Sequence, residues 1–371
     1  MTSPYSIADT SEIFTPALVV FRDLVEQNLD TMLQIAGEPG RLRPHCKTHK
    51  MAAVTRLELE RGITKHKCAT LAEAEMLAGA GVRDIVLAYN MVGANIARVA
   101  EFRRTYPDVE LAVTADHPIP LEQLSDHLAA EGLSVGVMLD VDAGMHRTGI
   151  VPGDAAVALY QQIADSPGVE PAGIHAYDGH HHEHDAGERA AAIEEDWRHV
   201  EALRQRLLEA GLPVAKIVAS GTPGFPIHAA RNDPLIELSP GTTVFHDAGS
   251  VHNYPDLHFT PAALVLTRVI SLPGENLVTF DVGSKGIASD PPVQKRAMFP
   301  NLADAEIVSQ NEEHLIVRTQ RAAEFAPGDE QLVIPWHVCP TSAVHKEAVV
   351  VAGGQVVDRW PVTARDRQLT I

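Results

Sequence analysis

From residue 41 to about 245 the chain repeats one pattern, a short apolar run followed by a longer segment with apolar residues every three or four positions. The short runs are RLRPHCK (41–47), HKCAT (66–70), DIVLAYN (84–90), LAVTAD (111–116), SVGVMLDVD (134–142), AGIHAY (172–177), KIVASG (216–221) and IELSPGTTVF (236–245). Runs of this length between turn residues predict strands. The intervening LAEAEMLAGAG, ANIARVAEFRRTY and EEDWRHVEALRQRLLEAG carry helical spacing and stop at Gly or Pro. Eight such units in about 200 residues predict an α/β fold, a (β/α)8 TIM-type barrel. An open doubly wound sheet uses the same units, and the count of eight decides between them.

After about residue 260 the pattern changes. ALVLTRVISL, NLVTFDVGS, EEHLIVRTQ, QLVIPWHVC and EAVVVAGGQVVDRW are strand-like and no long helix separates them, which predicts a C-terminal all-β domain. TPALVVF (15–21) precedes the barrel and could add a strand to it.

Composition narrows the function classes. A net charge of −19 argues against nucleic acid as a partner. No apolar run is long enough to span a membrane, and the N-terminus carries no signal-peptide pattern. The 3 cysteines, Cys46, Cys68 and Cys339, form neither a CxxC pair nor a disulfide framework, so a reducing, cytoplasmic setting is expected.

Barrel enzymes work at the C-terminal ends of their strands, where the loops after strands seven and eight commonly hold phosphate. Here those ends carry Lys47, Asn90, DAGMHRTG (142–149), YDGHHHEHD (177–185), SGT (220–222) and GTT (241–243). The last two are small turns whose backbone N–H groups suit a phosphate, or are plain turns. Strand alternation puts Arg41, Arg43, His45 and Lys47 on one face. Neighbouring cations and partial burial favour a neutral amine, which is how Schiff-base lysines are activated. The other reading of this stretch is a solvated basic strip.

Farther on, PWHVCPT (335–341) places His337 and Cys339 two apart on a predicted strand, with both side chains on one face. Imidazole and thiolate together favour zinc, and two ligands leave coordination positions open. The alternative is a core cysteine beside a satisfied histidine. HHHEH (180–184) offers a further metal ligand, a partner to one, a general base, or simply an exposed loop.

RPHCKTHK, together with TPALVV, DAGMHRTG, AYDGH, SGT, GTT and HVCPT in that order, resembles the D-threonine aldolase and D-serine dehydratase family. These are fold-type III, alanine-racemase-like pyridoxal-phosphate enzymes, and the likeness runs from about residue 15 to the end. It implies a barrel over residues 22–258, with 1–21 and 259–371 forming the β domain that carries the metal site. It implies that Lys47 bonds to pyridoxal 5'-phosphate and takes the Cα proton, that Arg147 meets the phenolic oxygen, and that Tyr177 lies near the ring. Ser220, Gly221, Thr222, Gly241, Thr242 and Thr243 match the phosphate turns. His337 and Cys339 match the ligands of a divalent metal, zinc favoured, with manganese or magnesium as alternatives. His180 matches the family's GH position and is a catalytic candidate, whereas the residues after it depart from the usual sequence.

A small β-hydroxy-D-amino-acid substrate and a homodimer follow from the same resemblance. The aldolases typically carry Asp where Cys339 stands and the dehydratases carry Cys, so the likeness leans to a D-serine or 3-hydroxy-D-aspartate dehydratase. Retro-aldol cleavage to glycine and an aldehyde is the alternative. A pyridoxal-phosphate-binding homeostasis protein and a barrel metallohydrolase using HHHEH are rivals of other classes. The first is expected to lack the β domain and the second to be colourless.

Overall fold

The computed structural model describes residues 4–371, which fall into two compact units. One comprises the described residues up to Thr31, Thr48–Met51 and Thr242–Asp366; the other comprises Met32–Lys47, Ala52–Gly241 and Arg367–Ile371. The strands in chain order are β1 (Ala17–Phe21), β2 (Lys65–Cys68), β3 (Asp84–Asn90), β4 (Glu110–Ala115), β5 (Val135–Val141), β6 (Val169–Ala176), β7 (Ile217–Ala219) and β8 (Ile236–Leu238). They continue with β9 (Ala263–Gly274), β10 (Leu277–Phe280), β11 (Ala297–Met298), β12 (Glu306–Gln310), β13 (Leu315–Arg318), β14 (Glu330–Pro335), β15 (Glu347–Ala352) and β16 (Gln355–Pro361).

Strands β2 to β8 form one parallel sheet in sequence order, with helices in the connections. Residues 42–45 close the ring, because Leu42 bridges Leu238 of β8 and His45 bridges Lys67 of β2, both in parallel. The expected first strand is therefore only two isolated bridges. Pro44 has no N–H to give the ladder, although its carbonyl still accepts from Lys67 N at 2.9 Å. The expected last strand is also cut short at Leu238, and Thr242–Val244 turn into a 3-10 helix. Within the ring, Val86, Ala112, Met138 and Val218 make the apolar layer.

The basic strip at 41–47 is not one face around Lys47. Arg41 donates to the carbonyls of Ala36, Ala229 and Arg231. Arg43 is fully buried and pairs with Glu237 at 2.5 Å and Asp84 at 2.8 Å. Burial pushes the Glu237 carboxyl up, but Arg43 and then Lys65 outweigh it and hold the group below its usual range. The ion pair therefore stabilises the fold above the ordinary carboxylate pKa of about 4, and its contribution is lost as pH falls through the lower folded value. Arg43→Met leaves Glu237 with Lys65 alone and Asp84 with only the more distant Lys216, and is expected to cost about 3–5 kcal/mol in chemical denaturation at neutral pH. A loss under about 1 kcal/mol, the range of an exposed pair, would contradict this account.

The other unit is a mixed sheet of nine strands in the order β12-β13-β10-β9-β1-β15-β16, with β14 pairing β9 and β11. Strand β1 joins this sheet, parallel to β15 and antiparallel to β9, instead of adding to the barrel. All five of its residues are buried, which suits a central strand with both faces covered. Val19, Phe21, Leu264, Leu266, Val349 and Val351 form one core, and Val278, Phe280, Leu315, Val317 and Val333 belong to a second. Gly353 and Gly354, both at positive φ, make the tight turn between β15 and β16. Among the described residues no helix is long and apolar enough to cross a membrane.

Candidate active site

At the C-terminal ends of the barrel strands lies a cavity of about 550 Å³. Lys67 of β2, Asn90 of β3, Thr114 of β4, Asp140 of β5 and His175 of β6 line it, together with His45, Lys47, Arg147 and Tyr177 from the loops. Parallel barrels gather loop and strand-end residues from distant parts of the sequence at this face. Tyr177 is the centre of the group. Lys47 Nζ and Lys67 Nζ each lie 5.6 Å from its ring centroid, and the Arg147 guanidinium lies 4.8 Å from it. A face with negative quadrupole is a favourable surface for such cations.

Two glycines make room for that ring. A Cβ on Gly179 would fall 2.1 Å from Tyr177 Oη, and one on Gly221 would fall 3.2 Å from Cε2. Asp178, the next residue, is buried and accepts from Gly221 N at 2.5 Å and His228 Nε2 at 2.8 Å. Burial alone would raise its pKa, but His228 and the Gly221 amide outweigh it and hold the carboxyl below its usual range. The loop behind Tyr177 is thus fixed by a side-chain and a backbone hydrogen bond to Asp178.

Lys67 escaped the sequence reading. It is buried, and burial first, then the charge of Lys47, pushes its pKa down to about 7. The signal was present in KHKC, since a lysine at an inward position of a buried strand has few structural reasons to be there. His175 is the other unanticipated group. Its Nδ1 bonds Asp140 Oδ1 at 2.7 Å, burial lowers its pKa, and its buried Nε2 has no hydrogen-bond partner among the described residues.

The predicted phosphate turns follow β7 and β8 as expected in position. Ser220 adopts φ +73°, its Oγ accepts from Ser239 N at 3.3 Å, and Gly241 N donates to Thr222 Oγ1 at 3.4 Å. The Gly221 amide is committed to Asp178, so that residue serves the approach of Tyr177. Thr242 and Thr243 lie in the 3-10 turn that opens the final stretch of the other unit. His180 does not line the cavity. Its Nε2 bonds Asp196 Oδ2 at 2.8 Å, and His181 Nε2 lies 3.2 Å from the same oxygen.

His337 and Cys339 are not on a strand. β14 ends at Pro335, His337 caps the helix Val338–Val344, and Cys339 is the second residue of that helix. The two still meet. Burial lowers the His337 pKa, but hydrogen bonding and charge from Cys339, then from Asp290, carry it up to about 9. His337 Nδ1 bonds Asp290 Oδ2, and Cys339 Sγ is 3.2 Å from Thr48 Oγ1. Buried Asp247 accepts from Val338 N at 3.1 Å and Ser250 N at 2.8 Å, anchoring the turn that carries both donors. The imidazole of His337 and the thiol of Cys339, paired at this turn, are donor types that suit a divalent metal, which on binding would take the place of the shared proton.

The residues present also fit an anionic aromatic aldehyde. The cavity offers two amines, a guanidinium, an aromatic face and an orphaned imidazole nitrogen. These features define an alanine-racemase-like barrel enzyme with a second, metal-capable unit. The family model for the alanine racemase N-terminal domain matches residues 21–248, and that for the putative serine dehydratase domain matches residues 262–351. The chain belongs to this family of pyridoxal-phosphate-dependent lyases, whose members act on β-hydroxy-D-amino acids.

Among its relatives, D-threonine aldolase of Arthrobacter sp. is 32% identical over 96% of this chain and 93% of its own length. 3-Hydroxy-D-aspartate aldolase of Paracoccus denitrificans is 28% identical over 97% and 94%. D-threo-3-hydroxyaspartate dehydratase of Delftia sp. is 27% identical over 93% and 96%. The crystal structure of D-threonine aldolase from Filomicrobium marinum superposes with a TM-score of 0.88 at 28% identity, covering 95% of each chain.

Proposed function

We propose that this protein removes water from a β-hydroxy-D-amino acid, D-serine or 3-hydroxy-D-aspartate, to give a 2-oxo acid and ammonia. The observation that carries the reading is the cavity at the strand ends, where Lys47, Lys67 and Arg147 surround Tyr177. Lys47 would hold pyridoxal phosphate, which when bound supplies an electron sink for charge developing at the substrate's Cα. The Lys47 amine would also serve as the base for the Cα proton. Tyr177 would supply an aromatic face for the ligand ring, and Arg147, over the tyrosine ring, would supply a cation for a phenolate oxygen. The turns after β7 and β8 do not line the cavity themselves; Ser220, held by Ser239, and Thr222, bonded by the Gly241 amide, would meet a phosphate at its edge. His337 and Cys339 would hold a divalent metal, zinc favoured, which supplies Lewis acidity to a β-hydroxyl.

Elimination is preferred over carbon–carbon cleavage because the second donor is a thiol, Cys339, where the aldolase pattern has a carboxylate. The identity to D-threonine aldolase favours the other reaction, retro-aldol cleavage to glycine and an aldehyde. Product analysis separates the two. With D-serine the expected products are pyruvate and ammonia in equal amounts, suppressed by a chelator and restored by zinc. Glycine and acetaldehyde as the main products from D-threonine, with no 2-oxobutyrate, would overturn the dehydratase reading.

A further inference from the structure

The cavity holds two amines where a covalent cofactor needs one. Lys67 belongs to β2, its side chain lines the cavity, and the residue is buried with no carboxylate at ion-pair distance among the described residues. The groups that bear on it are the cations of Lys47 and Arg43 and the carboxylates of Asp140 and Asp178. His175 and Arg147 line the same space, and the Tyr177 ring lies 5.6 Å from its Nζ. Both carboxylates are already engaged, Asp140 by His175 and Asp178 by His228 and the Gly221 amide. Lys67 is therefore a buried base with a cationic neighbour and no counter-ion of its own.

We propose that Lys67 is the cavity's anion-binding lysine: its amine gains a proton as a ligand carboxylate enters, and the ammonium then holds that carboxylate beside Tyr177. The inference rests on the proposed function for the identity of the ligand, an amino-acid carboxylate. Physically it follows from desolvation. An ammonium buried without a partner is costly, so the empty cavity favours the neutral amine, and an incoming carboxylate reverses the balance.

The unliganded pKa of about 7 agrees with this. Ligand binding raises the pKa, so proton uptake is largest between the free and bound values. It should be about half a proton at pH 7, approach one at pH 8, and vanish in acid where Lys67 is already charged. Affinity for the carboxylate then falls about tenfold per pH unit above 7 until the bound pKa is reached.

The test is calorimetric titration of the reconstituted enzyme with 3-hydroxypropionate, which has the carboxylate and β-hydroxyl but no amine to react. Titrations in two buffers of different ionisation enthalpy give the protons taken up. Wild type should show uptake as above. Lys67→Met should bind about 10- to 100-fold more weakly with no uptake, as expected for loss of a charged hydrogen-bond donor. Lys67→Arg, permanently charged, should bind without uptake. Uptake below about a tenth of a proton in wild type, or uptake unchanged in Lys67→Met, would overturn the proposal. A yellow enzyme with that result leaves the proposed function standing. A colourless protein would instead count against the cofactor, and the same titration on it still tests Lys67.

Discussion

Lys47→Ala is expected to yield a folded, colourless protein whose turnover with D-serine falls by about 10³- to 10⁴-fold or more. Two contributions disappear together, the covalent attachment point and the amine that moves the Cα proton, and proton transfer by a positioned group alone is worth about 10²- to 10⁴-fold. Lys67 lies at the same distance from the Tyr177 ring, so it is the residue that could take over. If Lys47→Ala kept its visible band and within about tenfold of its activity, the assignment of Lys47 would be wrong, and Lys67→Met in the same background would show whether that amine had replaced it. Circular dichroism and the denaturation midpoint separate loss of chemistry from loss of fold.

The second large effect concerns the metal. His337→Ala and Cys339→Ala should each lower bound zinc by at least about tenfold and turnover by about 10²- to 10⁴-fold, the range for several kcal/mol of Lewis-acid stabilisation. The yellow colour should remain, because the lysine is untouched. Cys339→Asp is the more telling variant. It restores a ligand while replacing sulfur by oxygen, so it should rebind metal and raise the ratio of glycine to 2-oxobutyrate formed from D-threonine. Full activity in metal-free Cys339→Ala would remove the metal from the reaction altogether.

Much of the fold could be read from periodicity, since β3 to β6 fall within a few residues of their apolar runs. The ends of the ring were harder. Pro44 and Pro240 remove ladder donors beside the first and last strands, so segments that look like strands close the barrel by isolated bridges and a 3-10 turn. The strand TPALVVF was visible, but only the family likeness, not its own pattern, put it in the β domain. Membership depends on pairing with Ala263 to Leu266 and Ala348 to Val351, which lie more than 240 residues away.

The site divides in the same way. Lys47, Arg147 and Tyr177 were readable from motifs, and the structure lines one cavity with them. The charge cluster at 41–47 misled, because alternation says which residues share a face but not at what depth along the barrel each side chain ends. Arg43 is used by Glu237 and Asp84, whereas Lys47 reaches the cavity. Lys67, His175, Asp290 and Asp247 had no motif. Their parts come from burial and from partners brought together by the fold, and single-sequence spacing carries neither.

The central claim is that one particular amine, on Lys47, carries the cofactor. Reduction of the yellow enzyme with borohydride, followed by proteolysis and peptide mass mapping, tests it directly. The pyridoxyl group is expected on the peptide containing Lys47, with the Lys67 peptide unmodified; label confined to Lys67, or to no lysine of the cavity, would contradict this.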